Sequence, residues 1–255
     1  MIGFNALGNY GHLGNQMFQY ATTLSVAKRL GTDACCPLYG QSNCRSRIAD
    51  CFKLGGVQDD YLKSGYVYKE PSFTFNENIF ELDPNQNWNL HGYFQSEKYF
   101  KDIRDHLLEE FTFHDEIMEA SLDRIQPVSS LHKTSLHVRR TDYLNHPDIH
   151  TTLSQEYWEK AFDILKPECI IVFSDDIDWC REVFIGDQYV FSSGKNPYED
   201  MCMMSMCDQH IMANSTFSWW ASWLSGNKSV APKNWFGPKA EYDCSDLFCD
   251  DWILL

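Results

Sequence analysis

The chain has 255 residues, 44% of them hydrophobic and 22% charged, a balance ordinary for a globular protein with a sizeable core. Its formal net charge of −15 argues against a nucleic-acid binder, which would carry a basic stripe, and means that an anionic ligand needs a local cluster of Arg or Lys. No run of about 18 apolar residues is present, so no membrane span is expected, and the N-terminus lacks the basic start and apolar run of a signal peptide.

Met1 to Leu7 reads as a strand, followed by a glycine-rich turn at Gly8, Gly11 and Gly14. From Asn15 the apolar residues Met17, Tyr20, Ala21, Leu24 and Ala27 fall at helical spacing, and Gly31 is a fitting stop. The stretch from Cys35 to Asn89 shows no clear period. After Ser130 the pattern becomes regular. Strands are predicted at Ser135–Arg140, Cys169–Ser174, Gln188–Phe191, His210–Ala213 and Lys228–Ala231. Helices are predicted at Gln155–Leu165, Asp178–Val183, Tyr198–Cys207 and Phe217–Leu224. Strands alternating with helices imply a parallel sheet with covered faces, in which ligands bind at the carboxyl ends of the strands.

Three polar motifs stand at such strand ends: Arg139-Arg140, Ser174-Asp175-Asp176 and Asn214-Ser215-Thr216-Phe217-Ser218. Together they suit a nucleotide. Forked Arg fits a diphosphate, a carboxylate fits the N–H donors of a purine, and a Ser/Thr pair at a helix start offers hydroxyls and N–H groups to phosphate oxygens. Neighbouring strand residues point to opposite faces, so only one arginine faces a crevice easily. The other would pair with a carboxylate such as Asp142 or Asp175, and a purely structural role for the doublet stays open. Ser215 or Thr216 also reads as a helix cap, with Trp219 and Trp220 in the core. Gly14-Asn15-Gln16 is either a turn and cap or a ligand contact.

Asp176-Ile177-Asp178 has the form of a metal–diphosphate ligand, but it equally fits a helix start, and no metal site is expected. Pro147 argues against a helical metal pair of His146 and His150, which read as loop residues close to the site. The ten cysteines contain no Cys-x-x-Cys and read as reduced thiols packed as small hydrophobes. The glycosylation sequons at Asn214 and Asn227 read as chance matches in a cytosolic chain.

Taken together, these residues resemble the family 11 glycosyltransferases, which are α-1,2-fucosyltransferases. Gly14-Asn15-Gln16-Met17-Phe18-Gln19-Tyr20-Ala21 looks like the family's N-terminal motif, and His91-Gly92-Tyr93-Phe94-Gln95 like its middle motif. His137-Val138-Arg139-Arg140-Thr141-Asp142 resembles the motif shared by α-1,2-, α-1,6- and protein O-fucosyltransferases. Phe173-Ser174-Asp175-Asp176 and Asn214-Ser215-Thr216-Phe217-Ser218-Trp219-Trp220 complete the set, the latter being the most specific to the family.

The resemblance implies an α/β, GT-B-like fold of two Rossmann-like domains facing a cleft. Residues 1–130 would form an N-terminal acceptor-side domain and 131–255 a C-terminal GDP-fucose-binding domain. It implies inverting transfer of L-fucose from GDP-fucose to the 2-hydroxyl of a terminal β-galactoside, with no cofactor and no metal. Another GDP-sugar transferase of different linkage, or a non-catalytic nucleotide-sugar or glycan-binding protein, is the alternative. By motif position Arg139 would hold the diphosphate and Arg140 would be structural. His137 would lie against the nucleotide, and Asp175 would read guanine. Ser215, Thr216 and Phe217 would contact phosphates, and Gly14 and Asn15 would reach the donor from the N-terminal domain. Asp142 and His146, on the loop after the doublet, are the candidate bases for the acceptor hydroxyl. The partners expected are GDP-fucose and a galactose-terminated glycan, with no nucleic acid. The expected setting is cytoplasmic, with peripheral membrane contact allowed.

Overall fold

A computed structural model describes residues 1–40, 46–192 and 196–255. The chain forms two compact units: Met1–His114 with Asp243–Cys249, and Asp115–Tyr242 with Asp250–Leu255. The helix Asp115–Ile125 therefore belongs to the second unit, ahead of the boundary near residue 130 suggested by the sequence.

The first unit holds a five-stranded parallel sheet where the sequence showed no period. Its strands are β1 (Ile2–Gly3), β2 (Ala34–Cys36), β3 (Gln58–Asp59), β4 (Tyr66–Lys69) and β5 (Trp88–His91), in the order β3-β2-β1-β5-β4. Helix α1 (Leu13–Leu30) is buried on nearly every side through Ala27, and Gly31 ends it in the left-handed conformation at φ 64°. Helix α2 (Arg104–Glu110) contributes Glu110, whose carboxylate accepts from the Tyr20 hydroxyl and from the N–H groups of Gly55 and Gly56 at 2.9 and 2.8 Å. Those donors satisfy a carboxylate that is otherwise costly to bury. The returning segment 243–249 is tied down by Asp246, which accepts from the Phe75 N–H and pairs with Lys98.

The second unit starts with helix α3 (Asp115–Ile125) and builds a six-stranded parallel sheet. Its strands are β6 (Lys133–Val138), β7 (Cys169–Ser174), β8 (Tyr189–Phe191), β9 (Gln209–Ile211), β10 (Lys228–Ala231) and β11 (Ile253–Leu254), ordered β11-β10-β9-β6-β7-β8. Its remaining helices are α4 (Thr141–Asn145), α5 (Gln155–Leu165), α6 (Ile177–Val183), α7 (Pro197–Ser205) and α8 (Thr216–Ser225).

Alternation along the strands separates two faces. Leu136, Val138, Ile170, Val172, Ile211 and Val230 pack into one core cluster with Tyr157, Trp158, Ala161 and Leu165 of α5 and Cys180 of α6. Residues of the other parity carry a polar link: buried His210 joins the Ser135 hydroxyl at 2.8 Å to the Ser225 hydroxyl of α8 at 2.6 Å. Helix α8 brings Trp219, Trp220 and Trp223 fully into the interior, where Trp219 also meets Trp252 edge-on at 5.2 Å. Among the described residues no helix is long and apolar enough to cross a membrane.

Candidate functional site

The order of the second sheet reverses between β6 and β9. Successive strands run from β6 to β7 and β8 on one side, and from β9 to β10 and β11 on the other. In open parallel sheets this reversal splays the loops at the carboxyl edge and opens a crevice there. The end of β6 leads into the Arg doublet, and the end of β9 leads into Asn214, Ser215 and the start of α8. The two strongest sequence motifs therefore flank one switch point, and the His137 and Phe217 rings join them with centroids 5.6 Å apart.

The two arginines part company. Arg140 turns to the α6 side, where its guanidinium pairs with Asp176 at 3.2 Å and lies 3.7 Å over the Trp179 ring. Arg139 uses both arms of its fork, one on Asp142 at 2.8 Å and the other on Asp175 at 3.2 Å. Asp176, half of the Asp-x-Asp motif, is thus spent on Arg140. Among the described residues no group of three or more His, Cys, Asp or Glu is placed to hold a metal ion.

Asp175 is the hub of this loop. Its carboxylate accepts from the N–H groups of Arg140 and Thr141, at 3.0 and 3.1 Å, and from the Thr141 hydroxyl. It stabilises the start of α4, where the first N–H groups lack helical partners. With the Arg139 contact added, this side chain braces both the arginine and the start of α4. Asp142 stays half exposed. Partial burial raises its pKa, but the hydrogen bond and charge of Arg139 outweigh that and hold it below the usual carboxylate range. His146 is exposed at the end of α4, and its carbonyl receives the N–H groups of Ile149 and His150 at 3.0 and 2.9 Å.

His137 is 6% exposed, and its Nδ1 has no hydrogen-bond partner. Burial, aided by the Arg139 charge, pushes its pKa down to about 3, so the ring is neutral at physiological pH. A buried imidazole nitrogen without a partner is costly in a finished core and fits a wall that a ligand completes. Across from it Ser215 caps α8 by accepting the Phe217 N–H at 3.3 Å, and buried Ser218 donates to the carbonyls of Ala213 and Ser215. Ser215, Thr216 and Phe217 are half-buried at a helix start whose dipole favours an anion.

Asn214 heads one of the strand-end motifs, but sequence reasoning gave it no role of its own. Its buried side-chain amide donates to the carbonyls of Thr151 and Trp235, both at 2.9 Å, and its own carbonyl accepts the Tyr143 hydroxyl at 2.7 Å. One residue thereby pins three loops around the switch point. Its place directly after a strand and before the Ser215 cap was the available signal. Gly14 and Asn15 lie in the first unit, in the opening turn of α1, where the Asn15 side-chain Oδ1 accepts from the Gln95 amide at 2.9 Å.

The sequence profile described as Glycosyl transferase family 11 matches residues 1–255. The O-antigen biosynthesis glycosyltransferase WbnK of Escherichia coli is 32% identical over 212 residues, covering 76% of this chain and 69% of that protein. An alpha-1,2-colitosyltransferase of Escherichia coli is 31% identical over 179 residues, covering 64% of this chain and 61% of the relative. Rabbit (Oryctolagus cuniculus) galactoside alpha-(1,2)-fucosyltransferase 2 is 28% identical over 269 residues, covering 95% and 74%. Among solved structures, fucosyltransferase NodZ from Bradyrhizobium superposes with a TM-score of 0.55 at 14% identity, covering 86% of this chain and 91% of that one. POFUT1 in complex with GDP-fucose superposes with a TM-score of 0.58 at 13% identity, covering 89% and 94%.

Two parallel α/β units and these structural neighbours define a GT-B-like glycosyltransferase fold. Within that class the chain belongs to glycosyl transferase family 11.

Proposed function

We propose that this enzyme transfers L-fucose from GDP-fucose to the 2-hydroxyl of a terminal β-galactoside, with inversion, to give an α-1,2 linkage. The observation that carries the reading is the meeting, at one topological switch point, of the Arg139 fork, the open wall of His137 and the start of α8. The rabbit relative's activity and the GDP-fucose bound to a structural neighbour support it.

Transfer breaks the bond between the fucose anomeric carbon and the diphosphate, and negative charge grows on the leaving oxygens. Arg139 and the N–H groups at the start of α8 stabilise that charge without reorganising, because Asp142, Asp175 and the Ser215 cap already hold them in place. Thr216 supplies a hydroxyl to the same oxygens, and the neutral His137 and Phe217 rings flank the nucleotide. Asp142 serves first as the partner of Arg139, since a carboxylate held below its usual range is a weak base. His146 is the other candidate for the acceptor proton, and an oxocarbenium-like transition state asks little of either. The reaction needs no metal. A cytoplasmic setting belongs to the same reading.

The colitosyltransferase relative favours a second reading in which the donor sugar lacks the 3-hydroxyl. A donor panel of GDP-fucose, GDP-colitose and GDP-mannose with lactose as acceptor tests both, read by released GDP and by the linkage of the product in NMR, with and without EDTA. Fucosylation at O2 in EDTA is expected. Transfer only from another donor, or activity abolished by EDTA, overturns the reading.

A further inference from the structure

The strand order of the first unit also reverses, between β1 and β5. Because every strand pair there is parallel, the segments after β1, β2, β3 and β5 all leave the sheet at one carboxyl edge. Each of those segments carries a tyrosine. In spatial order they are Tyr61 after β3, Tyr39 after β2, Tyr10 after β1 and Tyr93 after β5. Tyr61, Tyr39 and Tyr93 are 47%, 61% and 41% exposed. The Cβ position of Gly40 lies 2.6 Å from the Tyr61 hydroxyl, so the segments bearing Tyr39 and Tyr61 run against each other.

Tyr93 is the most firmly presented of the four. Phe94 beside it has a φ of 54°, a left-handed conformation that is a true outlier for a bulky residue, while its ring is fully buried. Glu70 over-determines that turn by accepting the N–H groups of Tyr93 and Phe94 at 2.7 and 2.9 Å. The Tyr10 hydroxyl clamps Gly92 by donating to its carbonyl at 3.0 Å and accepting its N–H at 3.1 Å. Gly92 has no room for a side chain, since a Cβ there would sit 2.4 Å from the Glu70 Cβ. The Tyr93 ring meets the Tyr10 ring edge-on at 5.3 Å. Backbone strain held this tightly clusters where a ligand is gripped.

A second observation lies beneath the turn. Gln95 is 6% exposed, and its amide nitrogen donates to Asn15, but its Oε1 has no partner. A buried acceptor without a donor is destabilising, and a ligand hydroxyl would satisfy it. The rim offers aromatic faces and phenol hydroxyls, with the unpaired Gln95 amide oxygen beneath it, and none of these groups is cationic. That chemistry suits the C–H faces and hydroxyls of a neutral pyranose and not a phosphate. Neighbouring strands are about 4.8 Å apart, so four strand ends extend over roughly 14 Å, the reach of a short oligosaccharide.

We propose that this carboxyl edge binds the glycan acceptor as a chain of sugars, with Tyr93 stacking on the ring nearest Asn15 and Tyr39 and Tyr61 stacking on rings farther along. The inference rests on the fucosyl-transfer reading for the acceptor's terminal sugar. The test compares a galactose-terminated disaccharide with a galactose-terminated tetrasaccharide, using initial rates and, without donor, saturation-transfer NMR of glycan binding. Tyr93→Ala raises the KM of both acceptors at least about tenfold, the worth of one aromatic stacking contact. Tyr93→Phe keeps the ring and stays within about twofold of the parent. Tyr39→Ala and Tyr61→Ala raise the KM of the tetrasaccharide alone. The proposal is overturned if Tyr93→Ala leaves the acceptor KM within about twofold, or raises the KM for the donor as much as that for the acceptor. Should the parent protein transfer no sugar, NMR separates the two ideas. Glycan signals that vanish in Tyr93→Ala uphold the site while the transfer reading fails, and absent signals in the parent refute the site.

Discussion

Arg139 and Arg140 are adjacent in sequence and differ in duty, so replacing each by alanine should split activity from stability. Arg139→Ala removes a preorganised donor from the leaving diphosphate, a loss that typically costs about 2.7–4 kcal/mol of barrier and therefore about 10²–10³-fold in turnover. Its structural cost is small. Asp142 is half exposed, and Asp175 keeps the N–H groups of Arg140 and Thr141 and the Thr141 hydroxyl. About 1 kcal/mol is expected, or roughly 2–4 °C in Tm for a chain of this size. Arg140→Ala loses the Asp176 pair and the Trp179 face, about 1–2 kcal/mol together, while turnover stays within about tenfold. Arg139→Lys restores little, because one ammonium cannot replace a fork that reaches Asp142 and Asp175 with separate nitrogens. The assay is the initial rate of GDP release on proteins whose thermal unfolding has been recorded. A folded Arg139→Ala protein that keeps more than about a tenth of the activity would refute the reasoning, as would Arg140→Ala proving the more damaging for turnover.

Three further outcomes follow from the packing. His137 and His210 have folded pKa values of about 3, set mainly by burial and below the unfolded value near 6.5. Their contribution to stability is therefore complete above that value and is lost as pH falls through the window, at about 1.4 kcal/mol per pH unit for each ring. His150, lowered by burial, acts in the same sense; Glu70 and Asp200, raised by burial, act oppositely but in the carboxylate range. Urea unfolding at pH 7.5 and 5.5 should show the loss, and His210→Gln should reduce it; no difference between the two pH values would contradict the neutral assignment. Trp219→Ala, which empties a fully buried site among Trp220, Trp223 and Trp252, should cost about 3–5 kcal/mol in denaturant unfolding. Asn214→Ala leaves the Thr151 and Trp235 carbonyls without their donor, so about 1–3 kcal/mol of stability and most of the turnover should be lost. Full activity in that variant would remove Asn214 from the positioning of the site.

Much of the second unit was legible in the sequence. Helix Gln155–Leu165 and strands Cys169–Ser174 and Lys228–Ala231 have the limits that periodicity and β-branched runs suggested. Strand β7 is buried on both faces and α5 shows one apolar stripe, so local pattern and tertiary role agree there. The first sheet was illegible for the converse reason. Its strands have two to four residues, and β3 and most of β4 are exposed, so no period of two could form. The predicted strand Met1–Leu7 shrinks to Ile2–Gly3 because the chain turns at Phe4, whose carbonyl accepts the Leu7 N–H.

The site divides along the same line. Residue type and spacing alone placed a fixed positive charge and a capped helix start at strand ends, because those features are set by neighbours in the chain and by the alternation of a strand. Which arginine is braced, which carboxylate is spent in bracing it, why Asn214 pins three loops and how four tyrosines come to share one edge all depend on strand order. Strand order is decided by the burial of whole faces, so only the tertiary structure settles it.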